Sequence, residues 1–220
     1  GILFDLDGVL CVGNNPILGA SEVIQFVKKN KIPFRIATNF TTLSRANLAF
    51  KMNSMGLNVV KEDIISAAYA GVLKLRSIGS PSCELLLSED VKGDYKEFII
   101  DQINPEVIVI GDLGRCWTFD IVNNIFNKVI NGSKIIALHK GRYFQVSNGL
   151  QIDSGAFITA IEYATSTKSE IVGKPEKDFF ELVLNDLGLS ARESIMIGDD
   201  LFNDVEGAQL AGLKGVLVQT

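Results

Sequence analysis

Short apolar runs recur from one end of the chain to the other, and a stretch with helical spacing follows nearly every one. Runs such as "VIVIG" and "SIMIG" show no polar alternation. That is the pattern of parallel strands covered on both faces. Between the runs, "ASEVIQFVKKN" gathers Val23, Phe26 and Val27 on one helical face. "SRANLAFKMNSMG" reads as a helix with Ser44 as N-cap and Gly56 closing it. Further helices are predicted over "AGVLKLRSIG", "DYKEFIIDQ", "TFDIVNNIFNKVIN", "GAFITAIEYAT", "EKDFFELVLNDLG" and "NDVEGAQLAG". "ILFDL", "PFRIAT", "EDIISAA", "CELLLS", "KIIAL", "EIVG" and "KGVLVQ" read as strands, and "RYFQV" as a strand ending at the turn "SNG". Strands alternating with helices predict an α/β fold with a mainly parallel sheet and helices on both faces.

In such sheets ligands gather beyond the carboxyl ends of the strands. Four polar stretches follow predicted strands: "FDLDG", "ATNFTT", "VGKPEKDFF" and "IGDDLFND". They lie near the two ends of the chain, so both ends are expected to build one core domain, residues 1–66 and 169–220. Residues 67–168 then form a second, inserted domain.

Each stretch admits two readings. Asp5 and Asp7 sit one residue apart in an apolar run, so strand alternation would point both the same way. Two unit charges 4 Å apart cost about 4 kcal/mol at an effective dielectric near 20, so a bare pair needs a partner. They either cap a turn before Gly8 or bind a divalent metal and a phosphate; Mg²⁺ suits oxygen ligands. Asp199, Asp200 and Asp204 follow Gly198 and either decorate a helix N-terminus or join such a cation site. Thr38 and Asn39 form an ordinary turn or bind phosphate oxygens, with free N–H groups offered by the following helix. Lys174 is either a solvated lysine or the counter-charge of this acidic pocket, and Pro175 fits the first turn of a helix.

Composition narrows the function. The 220 residues carry a net charge of −5, so there is no basic footprint for nucleic acid or an anionic membrane. Hydrophobic content of 47% supports a sizeable core, and no apolar run reaches membrane-spanning length. Cys11, Cys83 and Cys116 are too widely spaced for a disulfide framework or a zinc site, which favours a reducing cytoplasm. The chain begins at Gly1 inside a strand pattern and ends in "KGVLVQT", so both ends are expected to be trimmed.

Together, D-x-D-G at Asp5–Gly8, the Thr38 hydroxyl after a strand, Lys174 in G-K-P and G-D-D-x-x-x-D at Gly198–Asp204 resemble the haloacid dehalogenase-like superfamily. The segments "ATNFTTLSRANL", "LHKGRYF", "FITAIEYAT" and "MIGDDLFNDVEGAQLAG" resemble its branch with a large cap between the second and third motifs. The resemblance implies a Rossmann-like core and an inserted α/β cap of the C2 type. It implies an Mg²⁺-dependent phosphatase acting on a small phosphorylated substrate. Asp5 would be the nucleophile, and Asp7 would protonate the leaving group and then activate water. Mg²⁺ would sit on Asp5, the Asp7 carbonyl and Asp199. Thr38 and Asn39 would hold the phosphoryl oxygens, and Lys174 would neutralise charge. Asp204 and Asp200 would support metal and lysine from behind. The acid at Asp7 argues for a phosphatase over an ATPase-like relative.

The same resemblance leaves two alternatives. One is cleavage of P–N or P–O–P bonds, as in phospholysine, phosphohistidine or pyrophosphate. The other is a catalytically silent binding protein on the same fold. In the cap, His139, Asp153, Ser154 and Gly155 are candidate substrate contacts, with a hydrogen-bonded structural histidine as the other reading of His139. Trp117 is expected to be a cap or interface aromatic, and a homodimer through the cap is expected. Phe40 replaces a small polar residue and Cys11 an aromatic that relatives often carry. A core segment expected after "LVQT" is absent from the sequence.

Overall fold

The computed structural model describes residues 1–146 and 149–219; the turn expected at Ser147 and Asn148 lies outside the described residues. The core is a five-stranded parallel sheet of order β13-β12-β1-β4-β5. Its strands are β1 (Ile2–Phe4), β4 (Phe34–Thr38), β5 (Ile64–Ser66), β12 (Ile195–Gly198) and β13 (Lys214–Leu217). A small antiparallel hairpin, β2 (Cys11–Val12) and β3 (Asn15–Pro16), follows β1. Neighbouring residues on these strands serve opposite faces. Phe4, Ile36 and Ile64 pack with α1 (Ala20–Lys29) and α2 (Arg45–Ser54). Leu3, Ala37 and Ile65 pack with α3 (Ala67–Ser77), α7 (Lys177–Leu187) and α8 (Gly207–Leu210). Burial on both faces is why these strands read as unbroken apolar runs.

The inserted residues build a second parallel sheet of order β11-β8-β7-β6, from β6 (Cys83–Leu86), β7 (Val107–Ile110), β8 (Lys134–Ala137) and β11 (Glu170–Ile171). Ile108, Ile110, Ile135 and Ala137 pack under α5 (Phe119–Ile130) and α6 (Ser154–Thr165). Val107, Val109, Ile136 and Leu138 face the other way and join the cluster that contains α3. Helix α3 therefore lies between the two sheets. Its buried residues are mostly small: Ala67, Ala68, Ala70 and Gly71. A Cβ on Gly71 would collide with the Tyr95 hydroxyl, which donates to the Ala68 carbonyl at 2.7 Å. An antiparallel hairpin, β9 (Tyr143–Val146) and β10 (Gly149–Ile152), projects from the cap.

Several local expectations change. Glu170 and Ile171 pair with Ile136 and Ala137, so the return to the core comes after Ile171 rather than at residue 169. In α1 the buried face is Ala20, Ile24 and Val27, whereas Val23 and Phe26 are exposed. "DYKEFIIDQ" is not a helix. A short α4 (Glu89–Lys92) and a tight turn, Gly93–Tyr95, bury Val91 and Tyr95. The chain then runs extended along β6: the Cys83 N–H donates to the Ile99 carbonyl at 2.9 Å and Asp101 N–H to Cys83 at 3.0 Å. The open edge of β6 thus supplies backbone partners to this segment, while Ile99 and Ile100 stay exposed. Pro175 precedes the N-cap, Glu176, rather than opening α7.

The N-terminus of α2 is not free for phosphate. Asp90 accepts from Ser44 N–H at 2.7 Å and from the Asn47 side-chain amide at 2.6 Å. Asp94 accepts from Arg45 N–H at 2.8 Å, and the Ser88 hydroxyl donates to the Thr42 carbonyl at 2.9 Å. The cap thus caps a core helix, with carboxylates at its positive end.

Two outcomes follow from these joints. Asp94→Ala leaves the Arg45 N–H without its acceptor and is expected to cost about 1–3 kcal/mol in urea unfolding; Asp94→Asn should cost less. Within the cap, buried Glu162 accepts from Lys140 Nζ at 2.6 Å and from Ser169 N–H at 2.9 Å. Burial pushes its carboxyl up, but Lys140 and Ser169 outweigh that and bring it from 4.5 to about 2. Its contribution is present above pH 4.5 and lost as pH falls toward 2. The stability gap between wild type and Glu162→Gln should narrow across that window in acid titrations; a constant gap would refute the ion pair.

Candidate functional site

Strand β1 ends at Phe4, and Asp5 is the first residue beyond it, its N–H donating to the Ile197 carbonyl at 2.9 Å. The chain then turns tightly: the Leu10 and Cys11 N–H groups donate to the Leu6 carbonyl, and Gly8 N–H to Cys11 at 2.7 Å. Gly8 adopts φ 82°, and a Cβ there would also strike the Asp199 carboxylate. This turn brings Asp7 back to the cleft that Asp5 enters. The two acids converge because of a loop, not because of strand alternation. They differ in setting: Asp5 is buried and Asp7 exposed. The cleft measures about 340 Å³, and its walls include Thr38, Asn39, Lys174 and Asp199. The buried Cys11 thiol lies 4.0 Å from an Asp7 oxygen; burial and that carboxylate push it up to about 11, so it stays a neutral thiol.

Lys174 is the hub. Its Nζ donates at 2.6 Å to Asp5 Oδ1 and at 2.6 Å to Asp204 Oδ1. Only 6% of Lys174, 7% of Asp5 and 1% of Asp204 is exposed, so this is an interior triad and not a solvated lysine. Burial disfavours the ammonium, but the two carboxylates outweigh it and hold Lys174 above its ordinary value. Burial raises Asp5 and Asp204, with Lys174 pulling both back. One ammonium shared by two acids leaves net negative charge inside the protein.

Asp199 leaves β12 at the cleft mouth; burial, then Asp204 and Asp200, raise its carboxyl. Oxygens of Asp5, Asp199 and Asp204 lie within 4.8 Å of one another. Both Asp204 oxygens are engaged, Oδ1 by Lys174 and Oδ2 by Asp200 N–H at 3.2 Å. Asp5 and Asp199 are therefore the better ligands, and Asp204 supports from behind. Asp200 contributes that N–H, while its side chain caps the wide turn Leu201–Glu206, accepting from Phe202 and Asn203 N–H at 2.8 Å each. Those bonds, against the opposing effect of burial, hold its carboxyl low. A hard divalent cation fits: oxygen donors converge and carry excess negative charge, and Gly8 leaves room beside Asp199, where a side chain would strike its carboxylate.

Thr38 ends β4 against this cleft, its hydroxyl accepting from Phe40 N–H at 3.3 Å and keeping its own proton to donate. Asn39 differs from the expected phosphate ligand. Its side chain clamps the Lys174 backbone, accepting from N–H at 2.7 Å and donating to the carbonyl at 2.9 Å. Gly173 permits that approach, since a Cβ there would meet Asn39 Oδ1 and the Leu138 carbonyl. One amide hydrogen of Asn39 remains for the cleft.

A second chamber of about 500 Å³ shares Asn39, Lys174 and Asn203 with the first and extends to the cap. Of the four cap candidates only His139 lines it. Asp153 is buried against His139 Nε2 at 3.0 Å, and Ser154 donates to the Gly111 carbonyl at 3.1 Å. Gly155 packs on the Gly141 carbonyl, to which its N–H donates at 3.1 Å. These three shape the chamber wall from behind it. Phe40, singled out above, lines the acidic cleft, and Arg142, Tyr143 and Asn203 line the two spaces without having been named as candidates. For Arg142 and Tyr143 the signal was the "KGRYF" segment, and for Asn203 the "IGDDLFND" stretch. Trp117 is a cap aromatic, stacked on Phe157 with centroids 4.6 Å apart.

The sequence of these parts recurs in known proteins. Residues 2–98 match the family described as haloacid dehalogenase-like hydrolase, and residues 171–220 match the HAD-hydrolase-like family. The chain is 34% identical over 226 residues to phospholysine phosphohistidine inorganic pyrophosphate phosphatase of Homo sapiens, covering 100% of this chain and 83% of that one. It is 34% identical over 221 residues to haloacid dehalogenase-like hydrolase domain-containing protein 2 of Bos taurus, with the same coverages of 100% and 83%. Among solved structures, a thermostable NPPase variant from Geobacillus stearothermophilus superposes with a TM-score of 0.89 at 29% identity, covering 100% of this chain and 87% of that one. NagD from E. coli does so with a TM-score of 0.89 at 25% identity, over 99% and 86%. With its motifs assembled around one cleft and this similarity running its full length, the chain belongs to the haloacid dehalogenase-like hydrolase family, among its phosphatases.

Proposed function

We propose that the protein is an Mg²⁺-dependent phosphatase that hydrolyses a small phosphorylated molecule through an aspartyl-phosphate on Asp5. One observation carries this reading: a buried Asp5 held by Lys174 shares its cleft with an exposed second acid, Asp7. An Asp5 oxygen attacks phosphorus, the bond to the leaving oxygen breaks, and Asp7 gives that oxygen a proton. Asp7 then takes a proton from water, which attacks the aspartyl-phosphate, releasing phosphate and restoring Asp5. Lys174 fixes the attacking carboxylate and offsets charge as phosphate arrives, while Thr38 donates to a phosphoryl oxygen. Asp5, Asp199 and the Asp7 carbonyl would hold Mg²⁺, whose charge screens nucleophile from phosphate. The pairing of Asp5 with Asp7 in one cleft argues against a binding-only protein, because nothing in phosphate binding requires a second acid beside the first.

A second reading, P–N or P–O–P cleavage, is favoured by full-length similarity to the phospholysine phosphohistidine inorganic pyrophosphate phosphatase. Both readings meet in one experiment. Wild type with Mg²⁺ is expected to release phosphate from an aryl phosphate, to stop with EDTA and to recover with Mg²⁺. Asp5→Asn should lose at least about a thousandfold; activity equal to wild type would sink the mechanism. Turnover of imidodiphosphate and pyrophosphate above the aryl phosphate would select the second reading, and none would remove it.

We infer a soluble setting without nucleic acid, supported by the net charge of −5 and by the absence, among described residues, of a helix long and apolar enough to cross a membrane. Three free cysteines fit a reducing cytoplasm. Exposed Phe119 on α5 and Tyr163 on α6 support a homodimer through the cap. Light scattering should give twice the chain mass, and Tyr163→Lys with Phe119→Lys should return the monomer; a monomeric wild type would end that proposal.

A further inference from the structure

The chamber next to the acidic cleft is lined on its cap side by His139 and by two fixed cations, Lys140 and Arg142. His139 and Lys140 already have carboxylate partners. His139 rests on buried Asp153, with both carboxylate oxygens 3.0 Å from Nε2. Lys140 donates to buried Glu162 at 2.6 Å. The backbone of this loop is fastened to the start of α6: Asp153 N–H donates to the Arg142 carbonyl at 3.2 Å and Gly155 N–H to Gly141 at 3.1 Å. Gly141 has no room for a side chain, because a Cβ would strike Asp153. Arg142 differs from its neighbours. Its guanidinium has no carboxylate partner among the described residues and lies 6.0 Å from the centroid of the Tyr143 ring. This loop thus presents, among the described residues, one planar cation without a carboxylate partner to a chamber adjoining the Asp5 cleft.

Resting on the phosphatase reading above, we propose that Arg142 selects substrates whose leaving group carries a second anion, a carboxylate or phosphate. A guanidinium pairs such groups through two parallel N–H bonds, which supplies direction as well as charge. Glu176, the acidic residue lining the same chamber from the N-cap of α7, repels that anion and keeps it on the cap-side wall. Lys174 cannot serve as the anchor, since Asp5 and Asp204 occupy it. Arg142 is exposed and lines the chamber, so replacing its side chain should leave the fold intact.

The test uses the full chain with Mg²⁺, phenyl phosphate, and ω-phosphooxy carboxylates and alkyl bisphosphates of increasing length, with the ω-phosphooxy amides as neutral counterparts. Wild type should favour the best anionic member over its amide by about tenfold or more in kcat/KM. Arg142→Gln should erase that preference through KM, with kcat and phenyl phosphate hydrolysis unchanged, and Arg142→Lys should restore part of it. Comparison of carboxylates with bisphosphates then identifies which anion is preferred. Equal kcat/KM for acids and amides in wild type, or a preference that survives Arg142→Gln, overturns the proposal. Failure of wild type to hydrolyse any phosphate, phenyl phosphate included, would instead overturn the phosphatase reading.

Discussion

A single buried ammonium holds the active centre together. Lys174 reaches Asp5 from the first strand and Asp204 from the turn after β12, joining both ends of the chain at one atom. Removing one partner of such a pair strands the others without water, at a cost of about 3–5 kcal/mol. The arrangement also sets the reactivity. Two acids and one base leave negative charge beside Asp199, which attracts a cation, while Lys174 keeps the Asp5 carboxylate aimed. Its backbone is held in turn by Asn39, so Asp5, Lys174 and the end of β4 are tied together.

The cap is attached with comparable firmness. Helix α3 packs its alanines and Gly71 between the two sheets, so one apolar cluster runs from Leu3 and Ala37 to Val109 and Leu138. Asp90 and Asp94 close the other joint at the start of α2. The chamber wall around His139 and Arg142 therefore keeps a defined position over Asp5.

Much of this was legible in the residue pattern. Nearly every core strand lay where an unbroken apolar run stood, because covering on both faces leaves no room for polar alternation. Asp5, Thr38, Lys174 and Asp199 were recoverable because polar residues directly after buried strands are costly without a purpose. The failures have physical causes too. "DYKEFIIDQ" has helical composition, but the open edge of β6 supplied its backbone with partners. Asp153 and Ser154 looked like ligands because they are polar near a loop, yet they serve to anchor that loop. Asn39 also clamps the Lys174 backbone while lining the cleft, which no local pattern reveals.

Local chemistry, written in the order of residues, determined the strand–helix rhythm, the four polar strand ends and the family. Periodicity and turn chemistry act over a few positions, so a linear reading captures them. Tertiary structure alone decided that a turn, not a pleat, brings Asp7 beside Asp5. It also decided that Asp204 serves Lys174, and that Lys140 and His139 rest on carboxylates while Arg142 has none among the described residues. Those outcomes depend on which of several like-charged side chains ends closest to a partner. Contacts as distant in the chain as Asp5 and Lys174 are set by packing, and no neighbouring residue encodes them.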